Sequence, residues 1–114
     1  LHSQIRELEL AWAAGFFDGE GSTILGKQRP GKGKPFVKIS ISQKDRKVLD
    51  RFRRSMQVGK VYGPYENGAS YHYVALGWKA EHALDLMWPY LGSIKKTQAA
   101  IVFDTVEKAR GILL

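Results

Sequence analysis

Ala13-Ala14-Gly15-Phe16-Phe17-Asp18-Gly19-Glu20-Gly21 joins a helical pattern to a glycine-rich, acidic end. Upstream, Leu8, Trp12 and Phe16 fall on one stripe of a helix and Leu10, Ala13 and Phe17 on the next. Ala11, Ala14 and Gly15 lie between them as a strip of small residues, where a second helix can approach backbone to backbone. Gly19 and Gly21 are costly in a helix interior, about 1 kcal/mol each, and are expected to stop the helix. Asp18 and Glu20 then sit at a helix C-terminus, where the macrodipole is already negative and the last carbonyls lack partners. Carboxylates placed there call for a cation, and a divalent metal answers that demand.

The same stretch resembles the LAGLIDADG motif of homing endonucleases. Gly15, Asp18 and Gly21 are identical to the motif, Glu20 stands for its second acid, and the first, hydrophobic positions depart from it. In that family two such helices pack side by side, each delivering one acid to a shared metal-dependent nuclease centre. With one copy of the motif in the chain, the resemblance implies a homodimer with Ala11, Ala14, Gly15 and Asp18 at the interface.

Composition sets the bounds. At 114 residues and 44% hydrophobic, residues 1–114 are expected to form one domain with a modest core. Eighteen Lys and Arg against 11 acids give a net charge of +7, and the pI is near 9.8, which favours a polyanionic partner. No apolar run approaches the ~20 residues needed to span a bilayer, and no signal peptide is visible, so no membrane partner is expected. The absence of cysteine excludes disulfides and thiolate metal sites and fits an intracellular protein, of no particular compartment or host.

In chain order, Ser3 is a candidate cap for the first helix and Ser22 to Gln28 reads as a strand. The turn-rich Arg29 to Pro35 leads to a second strand, Phe36 to Ser42, in which Val37, Ile39 and Ile41 alternate with Lys38, Ser40 and Ser42. Gly26 to Lys32 approaches a phosphate-binding Walker pattern. It fails where Gly33 replaces the Ser or Thr and Lys34-Pro35 opposes a helix. A second helix is expected over Asp45 to Met56, with Ser42 as its cap. A second hairpin, Val58 to Tyr65 and Ser70 to Leu76, turns at Asn67-Gly68, and Pro64 marks the first of these as an edge strand or a bent one. Lys79 to Trp88 reads as the third helix. The fourth runs from Ser93 as cap to about Ala109, with Gly111 as stop. This order is α+β, with helices on one face of antiparallel hairpins. It resembles the αββαββα core of the LAGLIDADG family over nearly the whole chain, with the sheet forming a DNA-binding saddle.

Phosphodiester hydrolysis needs an attacking water, a Lewis acid and stabilisation of the leaving oxygen. Glu20 is the candidate metal ligand, supported by the Gly21 carbonyl. Two Glu20 carboxylates ~5 Å apart across a dimer axis repel by ~3 kcal/mol at an effective dielectric of 20. Their hard oxygens suit Mg²⁺, with Mn²⁺ or Ca²⁺ as substitutes for binding, and no small-molecule cofactor is expected. His2, His72 and His82 show no metal spacing. By the family resemblance, Gln43 and Lys95 organise water around the metal, with Lys96 as the alternative register and Lys47 as a lesser candidate. Alternation assigns Ser22, Ile24, Gln28, Arg29, Lys34, Lys38, Ser40, Tyr62, His72 and Val74 to double-stranded DNA. A strand of eight residues spans ~27 Å, about eight base pairs of major groove.

The resulting expectation is a Mg²⁺-dependent, site-specific double-strand endonuclease of intron or intein mobility, acting as a homodimer on a palindromic or pseudo-palindromic site. The alternatives are a non-catalytic DNA- or RNA-binding protein on the same scaffold, such as a splicing maturase or transcription regulator, and one half of a two-repeat endonuclease.

Overall fold

The structure is a computed structural model that describes residues 2–28 and 33–111. Its elements are α1 (His2–Glu20), β1 (Gly21–Gly26), β2 (Phe36–Gln43), α2 (Arg46–Met56), β3 (Lys60–Tyr65), β4 (Ser70–Leu76), α3 (Trp78–Met87), a 3-10 turn (Trp88–Tyr90) and α4 (Ser93–Ala109). The four strands form one antiparallel sheet in the order β1-β2-β4-β3. Both hairpins are as expected, and joining them through β2 and β4 leaves β3, with Pro64, at an edge. Pro64 lies where the β3–β4 register shifts between Tyr62 and Tyr65.

Alternation divides the sheet into two faces. Val37, Ile39, Ile41, Tyr73 and Ala75 are buried beneath the helices. They meet Ala13, Ala14 and Phe17 of α1, Leu49, Phe52 and Met56 of α2, Ala80, Ala83, Leu84 and Met87 of α3, and Ala99, Val102 and Val106 of α4. Phe52 is the hub of the aromatic packing, 4.8 Å edge-on from Tyr73 and 6.3 Å from Phe17. The Tyr73 hydroxyl donates to the Val58 carbonyl at 2.8 Å, and burial pushes its phenol pKa up.

Several boundaries move, each for a local reason. Gly19 does not stop α1: the helix runs through it to Glu20, and β1 starts at once with Gly21. Gly21 is required for space, because a Cβ there would run into the Phe17 ring. Ser3 lies inside α1 and does not cap it. Asp45 caps α2 in place of Ser42, its Oδ1 accepting the Lys47 N–H at 2.9 Å. The residue ahead of α4 is Gly92, and Ser93 is already helical. β1 ends at Gly26, before Gln28; β3 begins at Lys60; and α3 spans Trp78–Met87, with Trp88 in the 3-10 turn that carries Pro89.

Candidate functional site

The end of α1 and the start of α4 are tied together by two contacts. Asp18 accepts the Gly92 backbone N–H at 3.1 Å on each carboxylate oxygen, which places a negative charge at the positive end of α4. Lys95, in the first turn of α4, donates from Nζ to the Gly21 carbonyl at 2.7 Å. Glu20, between the two anchored positions, is exposed. A carboxylate, a main-chain carbonyl and an ammonium therefore share the α1–β1 junction. Lys96 lies 5.7 Å from the Trp88 ring, so the helix register brings Lys95, and not Lys96, to this junction.

Gln43 closes β2. Gly21 pairs with Ile41, two residues short of Gln43, so Gln43 lies at the same end of the sheet, roughly 7 Å further along the strand. Lys47, in the first turn of α2, is exposed. Among the described residues, no three His, Cys, Asp or Glu side chains come together as a metal cluster. The oxygen donors that remain, Glu20 and the Gly21 carbonyl, suit Mg²⁺, which takes one or two carboxylates and keeps several waters. The carbonyl has a second lone pair beside the one that Lys95 occupies.

Successive rows of side chains cross the open face of the sheet. Nearest the junction are Ser42, His72 and Tyr62, then Ser22, Ser40, Val74 and Lys60, then Ile24, Lys38 and Leu76, and at the far end Gly26, covered by the Phe36 ring. The Ser42 hydroxyl and His72 Nδ1 are 2.7 Å apart, and the His72 ring packs 5.1 Å from Tyr65. Seven of the residues assigned by alternation (Ser22, Ile24, Lys38, Ser40, Tyr62, His72 and Val74) share this face. Gln28 and Lys34 are exposed in the β1–β2 connection, while Arg29 lies outside the described residues. Ser42, Lys60 and Leu76 belong to the face and were missed, although the parity of the strands already places them there.

The small-residue strip divides. Gly15 is exposed, and a Cβ on it would meet nothing within 4 Å. Ala11 and Asp18 are partly exposed. Ala14 is fully buried in the chain's own core, so its expected place at a surface for a second helix is corrected. The outward seam of α1 includes Ile5 and Leu8, 58% and 71% exposed, at the helical spacing that leads to Gly15.

Solved structures share this architecture. The homing endonuclease I-CvuI, in complex with its target in the presence of Ca, matches with a TM-score of 0.75 and 23% identity, over 92% of this chain and 69% of that one. I-TnaI, a homing endonuclease, matches with 0.72 and 19% identity over 90% and 74%. The LAGLIDADG meganuclease I-CpaMI, bound to uncleaved DNA, matches with 0.72 and 18% identity over 90% of this chain and 37% of that one. No family model and no curated protein matches the sequence. The chain has the fold of the LAGLIDADG homing endonucleases. Among the described residues, no helix is long and apolar enough to cross a membrane.

Proposed function

We propose that the protein is a site-specific, divalent-metal-dependent double-strand DNA endonuclease acting as a homodimer. The observation that carries this reading is the Lys95–Gly21 contact beside the exposed Glu20, at one end of a sheet whose open face carries Lys38 and Lys60 among serine, histidine and apolar side chains. Two copies meet along the α1 seam, where Gly15 has no packing role within its own chain despite the ~1 kcal/mol that glycine costs in a helix. That arrangement brings two Glu20 carboxylates together.

Glu20 and the Gly21 carbonyl would hold Mg²⁺. When bound, the cation supplies a more acidic water and takes up charge on the departing oxygen. Lys95 keeps a positive charge at the junction and steadies the phosphate as negative charge builds on it. Gln43 offers both an amide donor and a carbonyl acceptor to orient water. Lys34, Lys38 and Lys60 hold the backbone of the duplex, and the remaining side chains of the face meet base edges.

The reading is tested by incubating the protein with a library of random duplexes in Mg²⁺ and sequencing the ends produced. Double-strand ends at one related set of two-fold symmetric sites are expected. A library left intact, while the protein still retains duplex, would favour a binding protein on the same scaffold.

A further inference from the structure

The row of Ile24, Lys38 and Leu76 departs from the more polar rows nearer the junction. Ile24 and Leu76 are 43% and 47% exposed, on either side of Lys38 and in register with it. A β-branched residue suits a strand, so Ile24 alone would need little explanation, but Leu76 has no such preference. Val74, in the next row on the same strand as Leu76, extends the apolar surface. Hydrophobic groups left open among Lys34, Lys38 and Lys60 fit a partner that is negatively charged overall and apolar at particular points. Duplex DNA has this chemistry in the major groove, where the thymine 5-methyl is the apolar group on a base edge. The dimensions agree. Ile24 and Leu76 are two strand spacings apart, about 9.6 Å, and the major groove is about 12 Å wide.

We propose that Ile24 and Leu76 are specificity-determining residues that read thymine through its 5-methyl group within each half-site. The inference rests on the DNA-binding reading above and adds the chemical class of base that this row selects. A buried methyl corresponds to about a fourfold change in affinity, and to ~15-fold when both half-sites of a symmetric target are changed together.

The test begins with the target that the full-length protein selects from random duplexes. Each thymine is replaced in turn by deoxyuridine, which removes the methyl and leaves the pairing intact, and affinity is measured by fluorescence anisotropy. One or two thymines per half-site are expected to show the fourfold loss. Ile24→Ala and Leu76→Ala should each bind the thymine and deoxyuridine duplexes equally at one of these positions, and Ile24→Val should keep most of the discrimination. Because both side chains are open to solvent, thermal melts of the variants should match the wild type. Tight binding of a target with no thymine preference, or a thymine effect that persists in both alanine variants, overturns this inference and leaves DNA binding intact. Failure to retain any duplex overturns both.

Discussion

Lys95 and Gly21, 74 residues apart in the chain, meet through a 2.7 Å hydrogen bond from the Lys95 ammonium to the Gly21 carbonyl. The bond places a positive charge next to the exposed Glu20 carboxylate at the end of α1, and the Asp18–Gly92 contact fixes the head of α4, which carries Lys95, beside it. Lys95→Met keeps the aliphatic stem and removes the charge. Cleavage should fall by ~10²–10³-fold, in line with loss of one preorganised donor, while affinity for the target changes little. Single-turnover rates beside equilibrium titrations would separate the two, and equal losses in both would make Lys95 a binding residue.

Glu20→Gln removes the carboxylate charge at the junction and leaves the sheet untouched. Cleavage in Mg²⁺ should be lost and duplex binding retained. A variant that cuts at the wild-type rate would transfer the metal-binding role to other groups.

Gly15→Leu introduces a branched side chain on the exposed seam of α1, where the chain itself leaves room for it. The fold should survive and assembly should not. In sedimentation without DNA, the wild type is expected at twice the chain mass at micromolar concentration and the variant at the chain mass. A monomeric wild type would argue against the homodimer.

Lys34 and Lys38 probe backbone contact. Replacing both by alanine in each copy removes up to four neutralised phosphates, so the dependence of log affinity on log salt should flatten by as much as ~3.6. The loss should be similar on a target and on a scrambled duplex, because phosphate contacts carry no sequence information. An unchanged slope would put both lysines in solvent, and a loss limited to the target would make them base readers.

Stability should depend on Glu9 at acid pH. Its carboxylate accepts two bonds from the Arg51 guanidinium, at 2.7 and 3.3 Å, and one from the Ser55 hydroxyl at 3.1 Å. The Arg51 bonds above all hold its pKa below the usual carboxylate value. A depressed folded pKa contributes stability that is present above the unfolded value and lost as pH falls through the folded one. Thermal melts below about pH 4.5 should therefore fall more steeply for the wild type than for Glu9→Gln. Solvent keeps the difference small. Superimposable profiles would show that the ion pair is worth the same folded and unfolded.

The sequence alone determined the element order, the two faces of β2 and the acidic end of α1, because each depends on a short-range period or on the backbone preferences of a few adjacent residues. Alternation of Val37, Ile39 and Ile41 with Lys38, Ser40 and Ser42 carries that information within a single strand. Caps were less legible. Ser42, Ser93 and Asp45 are all acceptable capping residues, and the choice among them follows from tertiary contacts. Ser42 turns to His72, and the head of α4 is satisfied by Asp18 from a distant helix. The small-residue strip carried the same ambiguity, since Ala14 and Gly15 both leave room for a neighbouring helix and only the packing of α1 on the sheet turns one inward and the other outward. The choice of Lys95 over Lys96 at the Gly21 carbonyl was likewise tertiary. Adjacent helical residues point about 100° apart, and the rotation of α4 about its axis is set by the burial of Ala99, Val102 and Val106.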